Sequence, residues 1–222
     1  MDRRSDKLDT GIDTLNEFLG RGYDKGIITT IYGPGGSGKT NLAMFCMISV
    51  VRSGKKAIYI HDRGNFPVQR LMQLEKDYKE LLDNVLLFRI TSFDEQISIF
   101  RRLRNMIDDK IGIIIVDSFT ALYRLCLADK KDIGKINKEL INQIDCVADV
   151  ARKKDIPVLL TTEVTSKMDG FDNVRMIGGD IMNYSSKCVI ELEKLHDGRR
   201  KVILRKHRTL QKDSECLIEI RK

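Results

Sequence analysis

A glycine-rich segment that ends in lysine and threonine is the strongest chemical signal in this sequence. Residues 33–40 read Gly-Pro-Gly-Gly-Ser-Gly-Lys-Thr and match the pattern G-x-x-x-x-G-K-[ST] at every position. Glycines allow positive φ and a close approach of the backbone to phosphate oxygens, and the lysine reaches the β and γ phosphates. The segment therefore predicts a nucleoside triphosphate site in which Lys39 is the catalytic lysine. The residues expected to bind this cofactor are Gly33, Pro34, Gly35, Gly36, Ser37, Gly38, Lys39 and Thr40.

An acidic residue at the end of an apolar run supplies the second signal. Residues 113–116 read Ile-Ile-Ile-Val and are followed by Asp117. Phosphate-loop enzymes hold magnesium with the hydroxyl at the end of the loop and an acidic residue at the end of another buried strand. Thr40 and Asp117 are therefore the predicted Mg²⁺ ligands. The alternative for Asp117 is a capping contact with the turn that follows it.

Alternating apolar strands and amphipathic helices must position these residues. The pattern predicts strands at 27–32, 57–61, 85–90, 111–116 and 158–162, and helices at 40–52, 68–82, 93–107 and 133–153. Such alternation is typical of an α/β fold with a mostly parallel central sheet flanked by helices. The glycine-rich segment then lies between the first strand and the first long helix, which is the context that its chemistry requires.

The excess positive charge is concentrated near the C-terminus. The chain carries 39 basic and 32 acidic residues, and residues 194–212 contain eight basic residues against Asp197 alone. Asp-Gly at 197–198, between β-rich runs at 188–195 and 201–206, predicts an antiparallel hairpin, with a further strand at 215–220. The basic residues either protect a sheet edge or contact nucleic acid. The DNA-binding candidates are Arg199, Arg200, Lys201, Arg205, Lys206 and Arg208.

Length and composition indicate one globular domain. With 222 residues and 42% hydrophobic content, we expect a single core domain over residues 1–222, with an N-terminal segment at 1–25 and a C-terminal β extension at 186–222. The apolar runs are far shorter than the roughly 18 residues of a membrane span. The charged N-terminus does not resemble a signal peptide, so a cytoplasmic location is expected. Five dispersed cysteines predict neither a disulfide framework nor a zinc site.

Several motifs give the chain a resemblance to a known family. Residues 9–15 (Asp-Thr-Gly-Ile-Asp-Thr-Leu) and 20–29, continuing through the glycine-rich segment to Asn41, resemble the opening of a RecA-type recombinase core. More narrowly, they resemble the archaeal RadB family of short recombinase paralogues. Residues 117–125, the Gly-Gly pair at 178–179, and residues 192–194 and 204–208 extend the likeness to nearly the whole chain.

The resemblance implies a RecA-like P-loop NTPase fold with ATP and Mg²⁺ as cofactors. It also implies association with single-stranded or branched DNA, an accessory role in homologous recombination and repair, and contact with the main recombinase or a Holliday-junction resolvase. Only 32 residues precede Gly33. That length is too short for the helical N-terminal DNA-binding domain of full-length recombinases, so the core itself is expected to contact DNA.

The same resemblance assigns roles to further residues. Asn41 continues the phosphate motif and is expected at the cofactor, and Arg70 falls where recombinases place a basic residue near the nucleotide base. Lys206, His207 and Arg208 match a C-terminal signature of the family. They are expected either to sense ATP across a subunit interface or to touch DNA.

Two departures from the recombinase pattern bear on hydrolysis. Recombinases place a water-activating glutamate just beyond the second core strand, where this chain has Arg63, and a guanidinium cannot act as a base. Asp62 is the adjacent candidate. The later strand ends at Glu163, where recombinases carry an Asn-Gln pair. An ion pair between Arg63 and Glu163 would explain both changes, and drift in a lineage that no longer needs fast hydrolysis is the alternative.

Three functions remain open at this point. The first is an ATP-binding, DNA-associated recombination mediator with weak or slow hydrolysis, at most a weak DNA-dependent ATPase. The second is a nucleotide-gated interaction module without catalysis, in which ATP stabilises an interface by binding. The third is a RecA-superfamily ATPase that acts on a process other than DNA repair. The arginine at position 63 argues against fast turnover and so against the third.

Overall fold

The computed structural model describes residues 7–62, 64, 66–129, 132–165 and 175–220. Its helices are α1 (Asp13–Phe18), α2 (Lys39–Arg52), α3 (Val68–Leu74), α4 (Tyr78–Leu82), α5 (Phe93–Met106), α6 (Ala121–Ala128), α7 (Ile133–Lys154) and α8 (Gly179–Ser185). Its strands are β1 (Lys7–Leu8), β2 (Tyr23–Asp24), β3 (Ile28–Tyr32), β4 (Lys56–Asp62), β5 (Val85–Ile90), β6 (Ile111–Asp117), β7 (Val158–Thr162), β8 (Val164–Thr165), β9 (Arg175–Met176), β10 (Cys188–Lys194), β11 (Arg200–Lys206) and β12 (Glu215–Ile218).

The main sheet has the strand order β12-β11-β10-β3-β7-β6-β4-β5. The six strands from β10 to β5 run parallel to one another. Strands β11 and β12 are antiparallel to their neighbours and extend the sheet beyond β10. The predicted α/β fold, a mostly parallel sheet flanked by helices with a C-terminal antiparallel hairpin, is confirmed.

Helices cover both faces of the parallel strands, which explains why these strands are apolar throughout. Every residue of β3 and β7 is buried. One core packs α2 against the sheet, with Leu42 and Met47 fully buried. The core on the other face packs α5 and α7, with Phe100 and Leu140 fully buried. The three- and four-residue spacing of apolar residues in α7 faces this second core.

The predicted single helix at 68–82 is wrong, because the chain forms two short helices there. Glu75 follows α3 in an extended conformation, with φ −140° and ψ 117°. Its buried side chain accepts a hydrogen bond of 3.2 Å from the backbone N–H of Asp77. It also forms an ion pair of 2.6 Å with Arg52 of α2. These contacts stabilise the break, which the apolar spacing alone did not indicate.

The predicted hairpin forms with small shifts in its bounds. The N–H of Leu195 donates a hydrogen bond of 3.0 Å to the carbonyl of Arg199, and Gly198 takes the positive φ of 87° that the turn needs. Strand β11 begins one residue earlier than predicted, at Arg200, and β12 ends at Ile218 instead of residue 220.

Parallel pairing brings several functional candidates to one edge of the sheet. Strands β3, β4, β6 and β7 all end at this edge, which we call the carboxyl edge. Gly33 follows β3, Asp62 and Asp117 close β4 and β6, and Glu163 follows β7. Ligands of open parallel sheets bind at such an edge. The opposite edge, where the parallel strands begin, is the amino edge.

Candidate nucleotide-binding site

The glycine-rich loop runs from the end of β3 to the start of α2. Gly38 is the N-cap of α2 in the left-handed region, with φ 109°. Nζ of Lys39 donates hydrogen bonds of 2.8 and 2.9 Å to the carbonyl oxygens of Gly33 and Pro34. The loop therefore combines glycine backbone, a helix N-terminus and an ammonium group at one place, the arrangement that binds phosphate.

Burial and nearby acids have opposite effects on the pKa of Lys39. This residue is 8% exposed. Burial lowers the pKa of Lys39, while the carboxylates of Asp117 and Glu163 oppose that change. The carboxylates at the end of β6 and just after β7 are therefore close enough to act on the ammonium of the loop.

The C-terminal extension packs directly on the loop. A side chain at Gly33 would overlap the carbonyl of Leu192 in β10, and one at Gly38 would overlap Cδ1 of Ile220. Nε of Arg200 lies 3.4 Å from the position that a Cβ of Gly38 would take. Gly33 is therefore needed to let the loop fit against the backbone of β10, whereas Gly38 is needed for its positive φ of 109°, because the end of the Ile220 side chain can move.

Asp117 is held by two neighbouring strands. Tyr59 of β4 donates a hydrogen bond of 3.0 Å to Oδ2, and Thr161 of β7 donates one to Oδ1. Burial, and then the charge of Asp117, raises the pKa of Tyr59, which keeps the phenol protonated as a donor. The predicted magnesium ligand thus has a fixed orientation, and its remaining acceptor sites can face a cation.

Asp62 closes the neighbouring strand at the same edge. Its Oδ1 accepts a hydrogen bond of 3.3 Å from the backbone N–H of Ser118. Burial raises the pKa of Asp62, and repulsion by Asp117 and Glu163 acts in the same direction. Arg63, the next residue in the sequence, lies outside the described residues.

Glu163 follows β7 and forms an ion pair with Arg124 of α6, at 3.0 Å between Nη2 and Oε2. The hypothesis of an ion pair between Arg63 and Glu163 involves an undescribed residue and stays a prediction. Among the described residues, Arg124 is the ion-pair partner of Glu163. The family-like segment 117–125 contains this arginine, but the sequence reasoning gave it no role, because Glu163 lies 39 positions further along the chain.

These groups line one open cavity of about 390 Å³. The lining residues are Gly35, Gly36, Lys39, Thr40, Tyr59, His61, Asp62, Pro67, Asp117, Ser118 and Glu163. The structure therefore brings together every predicted catalytic and metal residue: Lys39, Thr40, Asp62, Asp117 and Glu163.

The oxygen donors at this cavity suit Mg²⁺. Thr40 and Asp117 offer a hydroxyl and a carboxylate, the hard ligands that magnesium prefers. The buried Oγ of Ser118, in the residue that follows Asp117, has no hydrogen-bond partner among the described residues. The described ranges contain no cluster of three or more His, Cys, Asp or Glu arranged for a metal ion. This set fits a cation that is shared with nucleotide phosphates.

Arg70, expected near the nucleotide base, contacts Asn41, expected at the cofactor as the continuation of the phosphate motif. Nε of Arg70 in α3 donates a hydrogen bond of 2.6 Å to Oδ1 of Asn41, and Nη1 donates one of 2.8 Å to Gln73. Asn41 lies in the first turn of α2, directly after Thr40. The resemblance therefore pointed to two side chains that adjoin the loop from the same side.

The DNA-binding candidates do not form one surface. Arg200 pairs in register with Lys194 beside the hairpin turn, at the carboxyl edge, whereas Lys206 pairs with Val189 near the amino edge. Arg199 directly precedes Arg200 and lies near the carboxyl edge, and Arg208 lies two residues beyond Lys206. The strand spreads the basic residues along its full length, roughly 20 Å at about 3.3 Å per residue.

Most of these basic side chains bind acceptors within the chain. Arg199 pairs with Asp197 at 2.7 Å, Lys201 with Glu215 at 2.8 Å, and Arg208 with Asp24 at 3.2 Å. Arg205 bridges Glu191 and Asp213, at 2.6 and 2.8 Å. Arg200 donates to the carbonyl of Gly198, and Lys206 donates to that of Asn183 at 2.5 Å. These contacts reduce the local positive field that the sequence count indicated.

Signature residues 206–208 lie near the amino edge of the sheet, whereas the phosphate loop of the same chain lies at the carboxyl edge. His207 and Arg208 both contact Asp24 of β2, which also pairs with Lys7 at 2.5 Å. Burial lowers the pKa of His207, against the influence of Asp24. In this chain the two residues therefore connect the C-terminal segment to β1 and β2.

Comparison with known proteins agrees with the fold. Residues 3–222 match the Rad51 family. A "DNA repair and recombination protein RadB" from Methanococcoides burtonii is 36% identical over 91% of this chain and 89% of its own length. The protein of the same description from Methanocaldococcus jannaschii is 39% identical over 87% of this chain and 90% of its own.

A solved structure shows the same similarity in three dimensions. The crystal structure of a RadB recombinase superposes with a TM-score of 0.80 at 30% sequence identity, and the match covers 96% of both chains. None of the helices in the described ranges has the length and apolar character needed to cross a bilayer.

Proposed function

Since the chain belongs to the Rad51 family and groups with its RadB members, we propose that it is an ATP-binding, DNA-associated accessory protein of homologous recombination and DNA repair. Its ATP hydrolysis is slow. The observation that carries the proposal is the cavity in which the phosphate loop faces the carboxylates of Asp62, Asp117 and Glu163.

Residues at and around the cavity have distinct roles in ATP binding. The loop backbone and Lys39 hold the phosphates, and Thr40 and Asp117 hold Mg²⁺, which when bound neutralises phosphate charge. Tyr59 and Thr161 orient Asp117 through their hydrogen bonds. Arg70 and Asn41 adjoin the loop on the side where we propose that the base binds.

We expect slow hydrolysis because of the two carboxylates that could activate water, those of Asp62 and Glu163. Position 63 is arginine, so the recombinase glutamate is missing from its usual place. Asp62 accepts a hydrogen bond from the backbone of Ser118, and Glu163 is paired with Arg124. The cation beside Glu163 makes it a weaker base toward water than a free carboxylate, whereas the raised pKa of Asp62 leaves it the stronger base of the two, with one oxygen already occupied by the bond from Ser118.

We propose that DNA contact involves the basic residues of the C-terminal extension. Arg199, Arg200 and Lys201 cluster at the hairpin turn, and the ion-pair partners of Arg199 and Lys201 are exposed acids that phosphate groups can displace. The preferred ligand is single-stranded or branched DNA. The main recombinase and a Holliday-junction resolvase are the proposed protein partners.

Steady-state ATP hydrolysis with and without single-stranded DNA tests the proposal, with nucleotide binding measured separately. Lys39→Ala is expected to abolish binding and turnover, whereas Lys138→Ala, an exposed lysine of α7, leaves both unchanged. Slow turnover above the Lys39→Ala background supports the proposal. Binding without turnover favours the nucleotide-gated module, a reading that the Arg124–Glu163 pair also suits. ATP binding retained by Lys39→Ala would remove the assignment of the loop.

A further inference from the structure

We propose that Arg124 is a positioning residue that neutralises Glu163 and thereby sets the preference of the site for ATP over ADP. The inference rests on the proposed function, because it concerns the same cavity. It adds a residue from α6, outside the loop and the strand ends, to the determinants of nucleotide affinity.

The geometry ties Arg124 to the cavity through one contact. Glu163 lines the cavity together with the loop residues Gly35, Gly36 and Lys39. Its Oε2 lies 3.0 Å from Nη2 of Arg124. The guanidinium stands beside this acid without lining the cavity itself, so it acts on a bound nucleotide through Glu163.

The charges at the cavity explain why such a residue is needed. Among the residues that the structure describes at the cavity, three carboxylates, from Asp62, Asp117 and Glu163, face the ammonium of Lys39. A triphosphate adds further negative charge. The shared cation and Lys39 offset part of this negative charge, and Glu163 repels the terminal phosphate unless a cation is paired with it.

ATP and ADP differ by the third phosphate, and this is the phosphate that the charge of Glu163 affects. Glu163 stands at the strand end beside Asp117, where the terminal phosphate and its cation are expected, so its charge affects ATP more than ADP. An unpaired Glu163 therefore lowers affinity for ATP selectively. Arg124 and Glu163 are 52% and 39% exposed at their side chains, so their ion pair contributes little to folding stability.

The test is a titration of fluorescent ATP and ADP analogues with Mg²⁺ into the purified chain and its variants. Arg124→Ala is expected to weaken ATP binding at least about fivefold and to change ADP binding by less than about twofold. The double variant Arg124→Ala/Glu163→Ala is expected to return to within about twofold of the wild type for both nucleotides. The ATP effect of Arg124→Ala should shrink at high salt, because the groups are exposed.

Arg104→Ala is the matched control. Arg104 is 57% exposed, forms an ion pair of 3.4 Å with Asp149, and does not line the cavity. Its substitution is expected to leave both affinities unchanged. Equal loss of ATP and ADP affinity in Arg124→Ala, no loss, or no recovery in the double variant would each overturn the inference while ATP binding by the wild type still supports the site. Failure of the wild type to bind either nucleotide would overturn both.

Discussion

Tyr59 donates a hydrogen bond of 3.0 Å to Oδ2 of Asp117, although the two residues are 58 positions apart in the chain. They meet because β4 and β6 are parallel neighbours, with Tyr59 paired to Ile115. The contact fixes the orientation of the acid that we expect to hold Mg²⁺.

Tyr59→Phe tests whether this orientation matters. The ring keeps its edge contact with Phe66, at 5.2 Å between centroids, but Oδ2 of Asp117 loses its donor. We expect the free energy of unfolding to fall by about 1 kcal/mol and the Mg²⁺ concentration needed for half-maximal ATP binding to rise about two- to fivefold. Tyr184→Phe is the control, since Tyr184 is 85% exposed. An unchanged Mg²⁺ dependence would show that the phenol has no part in magnesium binding.

Asp62→Asn should stabilise the protein at neutral pH. Burial and its acidic neighbours raise the pKa of Asp62 above its usual value, so ionising the carboxyl costs stability as pH rises above about 3.9. Asparagine removes that cost and still accepts the hydrogen bond from Ser118. We expect a gain of about 1 kcal/mol or less at pH 7 and no gain near pH 3, measured by urea unfolding. Asp109→Asn, at a fully exposed carboxylate, should show no pH-dependent gain.

Asp24→Asn should destabilise the protein at neutral pH, in contrast to Asp62→Asn. Burial alone would raise the pKa of Asp24, but contacts with Lys7, Arg208 and His207 prevail and hold it below its usual value. The stability from these contacts is present above the unfolded pKa and is lost as the carboxylate is protonated at lower pH. We expect a loss of about 1 kcal/mol at pH 7 that shrinks near pH 3. An equal loss at both pH values would indicate that packing, not charge, is responsible.

Charge reversal at the hairpin tests the DNA contact. Changing Arg199, Arg200 and Lys201 to Glu is expected to weaken single-strand binding and to reduce the slope of log affinity against log salt. The control reverses three basic residues at the end of α7, Arg152, Lys153 and Lys154, which gives the same change in net charge. Equal weakening by both variants would point to net charge alone, and unchanged affinity in the first would remove the hairpin from the interface.

The sequence was sufficient for features that depend on neighbouring residues. The phosphate loop at 33–40 is a continuous segment, so its residue types alone specify the turn and its chemistry. Asp117 was identified because an apolar run leads into it, and the Asp-Gly turn at 197–198 predicted the hairpin. In each case the physical cause, a backbone conformation or a buried strand, acts within a few residues.

Contacts between distant segments were decided only by the tertiary structure. Arg124 meets Glu163, and Tyr59 and Thr161 meet Asp117, because parallel pairing brings strand ends and the α6 helix to one edge. The break at Glu75 depends on Arg52 from another helix. The basic residues near the C-terminus are close in sequence, yet the extended rise of β11 separates Arg200 from Lys206 and carries them to opposite edges of the sheet. Sequence thus determined the type of chemistry, and the three-dimensional packing decided which charges act on it.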